Sequence, residues 1–215
     1  MVRKFLLSDV LRIAWKGYIS QIWLLTGLII GYVIISLALN LFIPSPLDGT
    51  ISMTGMVIVL LSIVFSQLFE LGYTKNMFQA LDGEEPQFSA YGQESRKVLT
   101  GLFAGLIFAV ACIVGFLLLI IPGLYIAIRL QFFFASIVEE DTGIISSLKR
   151  SWEITKGQEV PLLLLLLVEI ALILLGLIFF FIGFFIAVPY VGLMNCYVFR
   201  KLTAFSTEEI NHTAP

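Results

Sequence analysis

The sequence predicts an all-α, polytopic membrane fold: six transmembrane helices arranged as three hairpins, with amphipathic helices at the cytoplasmic interface. Three observations predict it. Of 215 residues, 59% are hydrophobic and 13% charged, against roughly 45–50% and about 25% in soluble domains. Apolar runs recur at about the 20 residues that a helix needs to cross the hydrocarbon layer. Twelve of the 13 basic residues fall between alternate runs. Together these exclude a water-soluble fold and leave little chain for an extramembrane catalytic unit.

The elements follow in order. Leu6, Leu7, Val10, Leu11, Ala14 and Tyr18 recur at helical spacing, with Lys4, Asp9, Arg12 and Lys16 on the other face, which reads as an interfacial helix over about residues 5–19. The first span covers about 22–43. It begins far from Arg3 and Lys4 and has no Ala-x-Ala-like cleavage site, so it reads as a retained helix rather than a signal peptide. Pro44-Ser-Pro-Leu-Asp-Gly-Thr50 ends it. A second span, about 53–73, leads into Asp82-Gly-Glu-Glu-Pro86 and then Arg96-Lys97, with Ser89 to Lys97 as a shorter interfacial segment.

From Val98 to Val138 the chain stays apolar for about 40 residues, roughly twice what one crossing needs. It must double back, and Ile121-Pro-Gly123 is the expected turn, giving spans over 98–120 and 124–138. A second interfacial helix, about 144–156, sets Ile145, Leu148, Trp152 and Thr155 against Ser146, Lys149, Arg150, Glu153 and Lys156. Leu162 to Phe199 repeats the long apolar pattern, with a turn expected near Phe181 to Phe184 and spans over 160–181 and 184–200. Pro189 should kink the last span. Residues 1–205 read as one transmembrane domain and 206–215 as a polar tail.

Basic residues beside helix ends favour the cytoplasmic side. Arg3, Lys4, Arg12 and Lys16; Lys75, Arg96 and Lys97; Lys149, Arg150 and Lys156; and Arg200 and Lys201 all fall on one side. With six crossings, both termini are expected in the cytoplasm of a plasma (inner) membrane. Leu11-Arg-x-x-Trp15-x-Gly17 echoes Leu148-Lys-x-x-Trp152-x-x-x-x-Gly157, which points to a repeated unit of interfacial helix plus membrane hairpin.

Several phrases carry a family resemblance: Ile121-Pro-Gly-Leu-Tyr125 followed by Arg129; Ser147-Leu-Lys-Arg-Ser-Trp-Glu-Ile-Thr-Lys-Gly157; and Val188-Pro-Tyr190 with Tyr197. Over about residues 70 to 202 the chain resembles a superfamily of uncharacterised prokaryotic integral membrane proteins. That superfamily includes the membrane domain attached to some glycerophosphoryl diester phosphodiesterases. The resemblance implies a multi-helix membrane domain and a bacterial source, and brings no catalytic residues. The chain has no soluble phosphodiesterase portion, so that activity is not carried over.

Ionisable groups within spans are costly and commonly functional, which singles out Glu70, Arg129 and Glu169. Arg129 lies ten residues before Glu139 and Glu169 ten after Glu159, so each is expected about 15 Å from the inner edge. They are therefore expected to pair between the fourth and fifth spans. A structural clasp and a transport pathway both fit such a pair. Gln67, Glu70, Gln131 and Asn195 could extend it into a polar layer, or form ordinary interhelical hydrogen bonds. Gly27-x-x-x-Gly31 and Gly101-x-x-x-Gly105 are expected to pack helices within the chain. Arg12, Trp15, Lys16, Lys149, Arg150, Trp152 and Lys156 are candidates for binding anionic headgroups or for interfacial anchoring.

Evidence for an enzyme is thin. The sole histidine, His212, lies in the tail; there is no metal-ligand spacing, no Gly-x-Ser-x-Gly elbow and no phosphate loop. Cys112 and Cys196 lie in apolar segments and read as small hydrophobes. Asn211-His-Thr213 fits a glycosylation sequon only by accident if the tail is cytoplasmic. The expectation is a non-enzymatic integral membrane protein without cofactor: a scaffold, a lipid-interacting module or an accessory subunit. Its expected partners are membrane lipids and other membrane-protein subunits, and no nucleic acid. The alternative is a small transporter or channel using the Arg129/Glu169 layer. An intramembrane enzyme would require Glu70 or Glu169 to face a substrate-sized cavity.

Overall fold

A computed structural model describes residues 5–42, 53–178 and 182–213, with backbone alone for Ile182 and residues 208–213. Among the described residues every regular element is helical. Six segments are long and apolar enough to cross a membrane: Ile22–Leu41, Met53–Leu81, Ser89–Leu118, Ile120–Glu139, Glu159–Ile178 and Gly183–Thr207.

Helix α1 (Leu7–Ser20) buries Val10, Ala14 and Tyr18 at four-residue intervals and leaves Arg12, Trp15 and Lys16 outside, the pattern of a helix lying on a surface. It runs through Gln21 into α2 (Ile22–Leu41). The proline-rich segment that follows lies outside the described residues. Helix α3 (Met53–Leu81) continues two turns past the expected end at residue 73. The extension is amphipathic: Met77, Phe78 and Ala80 enter the core, and Asn76 Oδ1 accepts a hydrogen bond from Gln87 N at 3.1 Å. The short α4 (Ser89–Glu94) and a 3-10 turn (Ser95–Lys97) lead into α5 (Val98–Leu118).

The chain reverses at Leu119, whose backbone is extended (φ −170°, ψ 159°), not at Ile121-Pro-Gly123. Those residues form the first turn of α6 (Ile120–Leu130). Proline is tolerated there because the first-turn amides have no intrahelical acceptor to lose. Gly123 serves contact instead of turning: a Cβ on Gly115 of α5 would stand 2.9 Å from its Cα. The expected span 124–138 is two helices, since the helix opens at Gln131–Phe132 before α7 (Phe133–Glu139). Then come α8 (Ile144–Ile154), α9 (Glu159–Ile178) and α10 (Ile182–Thr213). Gly183 and Phe184 are already helical, so α10 begins before the expected turn ends; Phe181 lies outside the described residues. A Cβ on Gly176 of α9 would stand 2.7 Å from the Gly183 carbonyl of α10. Helix α10 passes through Pro189 and carries helical backbone into the polar tail.

Helix α10 is the central post, packing against α1, α2, α3, α8 and α9 and burying Leu193, Met194, Val198, Phe199 and Leu202. Helix α1 lies across it: Tyr190 Oη donates to the Leu11 carbonyl at 3.0 Å. Outward faces are apolar, as Leu99, Phe103, Leu106, Val110 and Ile113 of α5 show. Such a surface suits hydrocarbon, with the backbone polar groups satisfied inside the helices.

Candidate functional site

The break between α6 and α7 builds the first notable site. Opening the helix frees the Phe132 amide and the Arg129 carbonyl, and α8 supplies both partners. Ser151 Oγ accepts from Phe132 N at 3.1 Å and donates to Arg129 O at 2.9 Å, and Thr155 Oγ1 also reaches that carbonyl at 3.2 Å. One hydroxyl thus patches donor and acceptor together. The adjacent Trp152 covers the Arg129 guanidinium, 4.5 Å from ring centroid to Cζ, and Tyr125 stands edge-on to Trp152 with its own centroid 5.8 Å from that Cζ. Glu159, first residue of α9, accepts from Arg129 Nη1 at 3.2 Å. Gly157 has φ +75°, a conformation that disfavours other residues, and its amide donates to the same Glu159 Oε1 at 3.2 Å.

Arg129, 2% exposed, is therefore held by an ion pair and a ring face, with its Nε buried and lacking a hydrogen-bond partner. The expected Arg129–Glu169 pair does not form. Counting residues back from Glu139 assumes one straight helix, and the break at Gln131–Phe132 removes that assumption. Arg129 lies beside the start of α9, while Glu169 is ten residues further along, about 15 Å away. Glu169 is buried and accepts from Asn195 Nδ2 at 3.0 Å.

A second construction lies at the end of α7, where three consecutive carboxylates each tie a different element. Glu139 accepts from Arg200 Nε of α10 at 2.8 Å, and Arg200 also grips Asp82 after α3. Glu140 takes Arg150 of α8 in a forked contact, with bonds of 2.9–3.0 Å. Asp141 meets Lys97 at 2.9 Å and Arg96 at 3.6 Å. Lys97, though 8% exposed, also meets Glu94 at 2.9 Å and donates to the Ile137 and Val138 carbonyls at 3.0 and 3.3 Å. These carbonyls end α7, where a cation complements the helix dipole. The bond to Arg200 holds the Asp82 carboxyl below its usual range, and that to Lys97 does the same for Asp141.

The remaining candidates separate. Gln67 Oε1 and Gln131 Nε2 are buried without hydrogen-bond partners, and Gln67 lies against Gly101. Glu70 is exposed on α3. Only Asn195 and Glu169 of the expected layer are joined by a hydrogen bond. Arg12 pairs with Asp9 at 3.5 Å, and Lys16, Lys149 and Lys156 are exposed. Arg150 is bound to Glu140, and the partly exposed Trp152 covers Arg129. Trp15 packs edge-on against Tyr190. Gly27 and Gly31 do not pack helices together: no atom lies within 4 Å of a Cβ built on either. They open onto a cavity of about 440 Å³ between α2, α3 and α4; a second of about 350 Å³ shares Tyr32 and Phe65 with it.

Six apolar helices and a buried, paired polar end define the class: a helical membrane protein. The chain belongs to a family described as a domain of unknown function, DUF7847, which it matches over residues 89–211. That match takes in the arginine socket and the acidic hub apart from Asp82. The chain is 32% identical over 114 residues to "Uncharacterized protein Rv2560" of Mycobacterium tuberculosis, covering 53% of this chain and 35% of that protein. It shows the same identity and coverage with "Uncharacterized protein Mb2590" of Mycobacterium bovis. The chain thus spans about a third of the length of these relatives. Neither the family description nor these names carries a glycerophosphoryl diester phosphodiesterase. No solved structure matches the chain.

Proposed function

We propose that this chain is a non-enzymatic integral membrane scaffold of the bacterial inner membrane that engages lipid, with its charged end and both termini in the cytoplasm. The observation that carries the reading is the Glu139-Glu140-Asp141 hub. Its carboxylates are spent on Arg200, Arg150 and Lys97 of three other elements, so these charges fasten helices together. Arg129 is likewise closed in by Trp152 and Glu159. A transport pathway through an Arg129/Glu169 layer needs both groups on one path, and they occupy separate contacts. Available to partners among the described residues are the apolar perimeter, exposed cations such as Lys16, Lys149 and Lys156, and the cleft beside α2.

The test is gentle purification from native membranes followed by mass spectrometry of co-purifying lipids and proteins. Enrichment of a lipid class over the bulk membrane, or of a membrane subunit, is the expected result. Recovery as a lone polypeptide with bulk lipid composition contradicts the proposal.

A further inference from the structure

We infer that the cleft between α2 and α3 binds a single-chain amphiphile with an uncharged, hydroxyl-bearing headgroup. The inference deepens the lipid-engaging reading above and rests on it.

The cleft has two arms of opposite character. The first, about 440 Å³, is walled by Trp23, Leu28, Leu68 and Phe88 and floored by Gly27 and Gly31, whose missing side chains leave the space open. The second, about 350 Å³, is lined by Ser36, Asn40, Ser62 and Ser66 among apolar neighbours. Tyr32 and Phe65 line both, so the arms adjoin at this ring pair. A hydrocarbon chain matches the first arm and a compact polar head the second. Tyr32 stacks on Phe69 at 4.2 Å between ring centroids, so α2 and α3 touch there. A helix about 10 Å across does not pass between them.

Headgroup chemistry follows from what the polar arm offers. Among the described residues neither arm is lined by a charged side chain, and a phosphate, carboxylate or ammonium placed there would be desolvated without a counter-charge from them. Part of the polar arm's own donor capacity is already used. Ser62 Oγ donates to Ile58 O and Ser66 Oγ to Ile63 O, both at 2.9 Å, and Asn40 Nδ2 donates to Ser36 O at 2.8 Å. The serine lone pairs and Asn40 Oδ1 remain as acceptors, and the Ser36 hydroxyl and the second Asn40 N–H remain as donors. A partner must meet both donors and acceptors without charge, which is the chemistry of glycerol or sugar hydroxyls, each of which donates and accepts. Helices α2 and α3 precede residues 89–211, so the cleft belongs chiefly to the part of the chain outside the family match.

Native mass spectrometry of the full chain in detergent tests this with monooleoylglycerol and with oleoyl lysophosphatidic acid, which carries the same chain on a phosphate head. Wild type should retain the glycerol amphiphile in preference. Gly27→Leu with Gly31→Leu fills the apolar arm and should weaken retention about tenfold, as displacing roughly two methylenes from apolar burial would. Both side chains enter open space, and an unchanged thermal midpoint confirms the fold. Asn40→Leu with Ser62→Ala and Ser66→Ala should erase the preference for glycerol over phosphate. Equal retention of both amphiphiles by wild type overturns the proposal, as does retention indifferent to the glycine variant. A glycine variant that instead converts a dimer to a monomer overturns it in favour of a second copy. If native membranes yield an enriched lipid that the glycine variant still holds, the cleft assignment fails and the lipid-engaging reading stands. If no lipid is enriched, both fail.

Discussion

Arg129 shows how a buried charge is accommodated by residues that look unrelated in sequence. Its cation faces an indole, a phenol ring and one carboxylate, and a desolvated guanidinium is well served by an aromatic face. Removing one partner of a buried pair costs about 3–5 kcal/mol. Glu159 is 31% exposed and the rings stay in place, so Glu159→Gln should cost less, about 2 kcal/mol. Glu169→Gln should be milder, because its partner Asn195 is neutral and an amide oxygen can accept the same hydrogen bond. Thermal unfolding in detergent ranks the two; a larger loss for Glu169→Gln would sink the assignment of Arg129 to Glu159. Ser151→Ala leaves the Phe132 amide unpaired in the core and should cost about 1–3 kcal/mol by the same assay; no change would show that the break does not depend on α8. The motif Ser-Trp-x-x-Thr-Lys-Gly is visible in the sequence, but its role is not. Neither Pro nor Gly marks the break at Gln131–Phe132, and the residues that hold it open come from another helix.

Among elements, the short α7 and the two residues that follow it are closely tied by charge. The run Glu139-Glu140-Asp141 reads in sequence as a solvated connection, since a charge run does not announce which cations it will meet. In the fold it gathers α8, α10 and the turn before α5. Acid should loosen this hub. The Asp82 and Asp141 carboxyls are held low in the folded state. Their pairs therefore contribute stability that is complete above the ordinary aspartate pKa of about 3.9 and is lost as pH falls through the lower folded value. The thermal midpoint should hold from about pH 7 to 5 and fall below about pH 4, less steeply with Asp82→Asn and Asp141→Asn. A midpoint that falls equally in the double variant would remove both aspartates from the account. Helix pairing makes a separate demand. A side chain at Gly176 would meet the Gly183 backbone at 2.7 Å, so Gly176→Leu should cost about 1–3 kcal/mol through forced separation of α9 and α10. Gly27→Leu, entering open space, should leave the midpoint unchanged. Both glycines look alike in sequence, because spacing reports smallness and not which neighbour uses it.

Across the whole molecule, the spanning segments are the most legible feature, since hydrocarbon thickness dictates a run length that composition cannot hide. Helix continuity is less legible: α3 outruns its apolar stretch because its last turns pack on α10, and the fourth span divides into α6 and α7. Charge distribution ties the levels together. Lys97, Arg129, Arg150 and Arg200 all bind carboxylates at the junctions between α3, α5, α7, α8 and α9, as expected if these junctions share one aqueous face. The central claim, a scaffold whose charged junctions face the cytoplasm, is tested most directly by cysteine labelling in intact cells. In a background with Cys112 and Cys196 replaced by Ala, single cysteines at Glu84, Lys149 and Asp48 are exposed to a membrane-impermeant maleimide. The account predicts that Asp48→Cys labels in intact cells, while Glu84→Cys and Lys149→Cys label only after permeabilisation. Labelling of Glu84→Cys or Lys149→Cys in intact cells would contradict it.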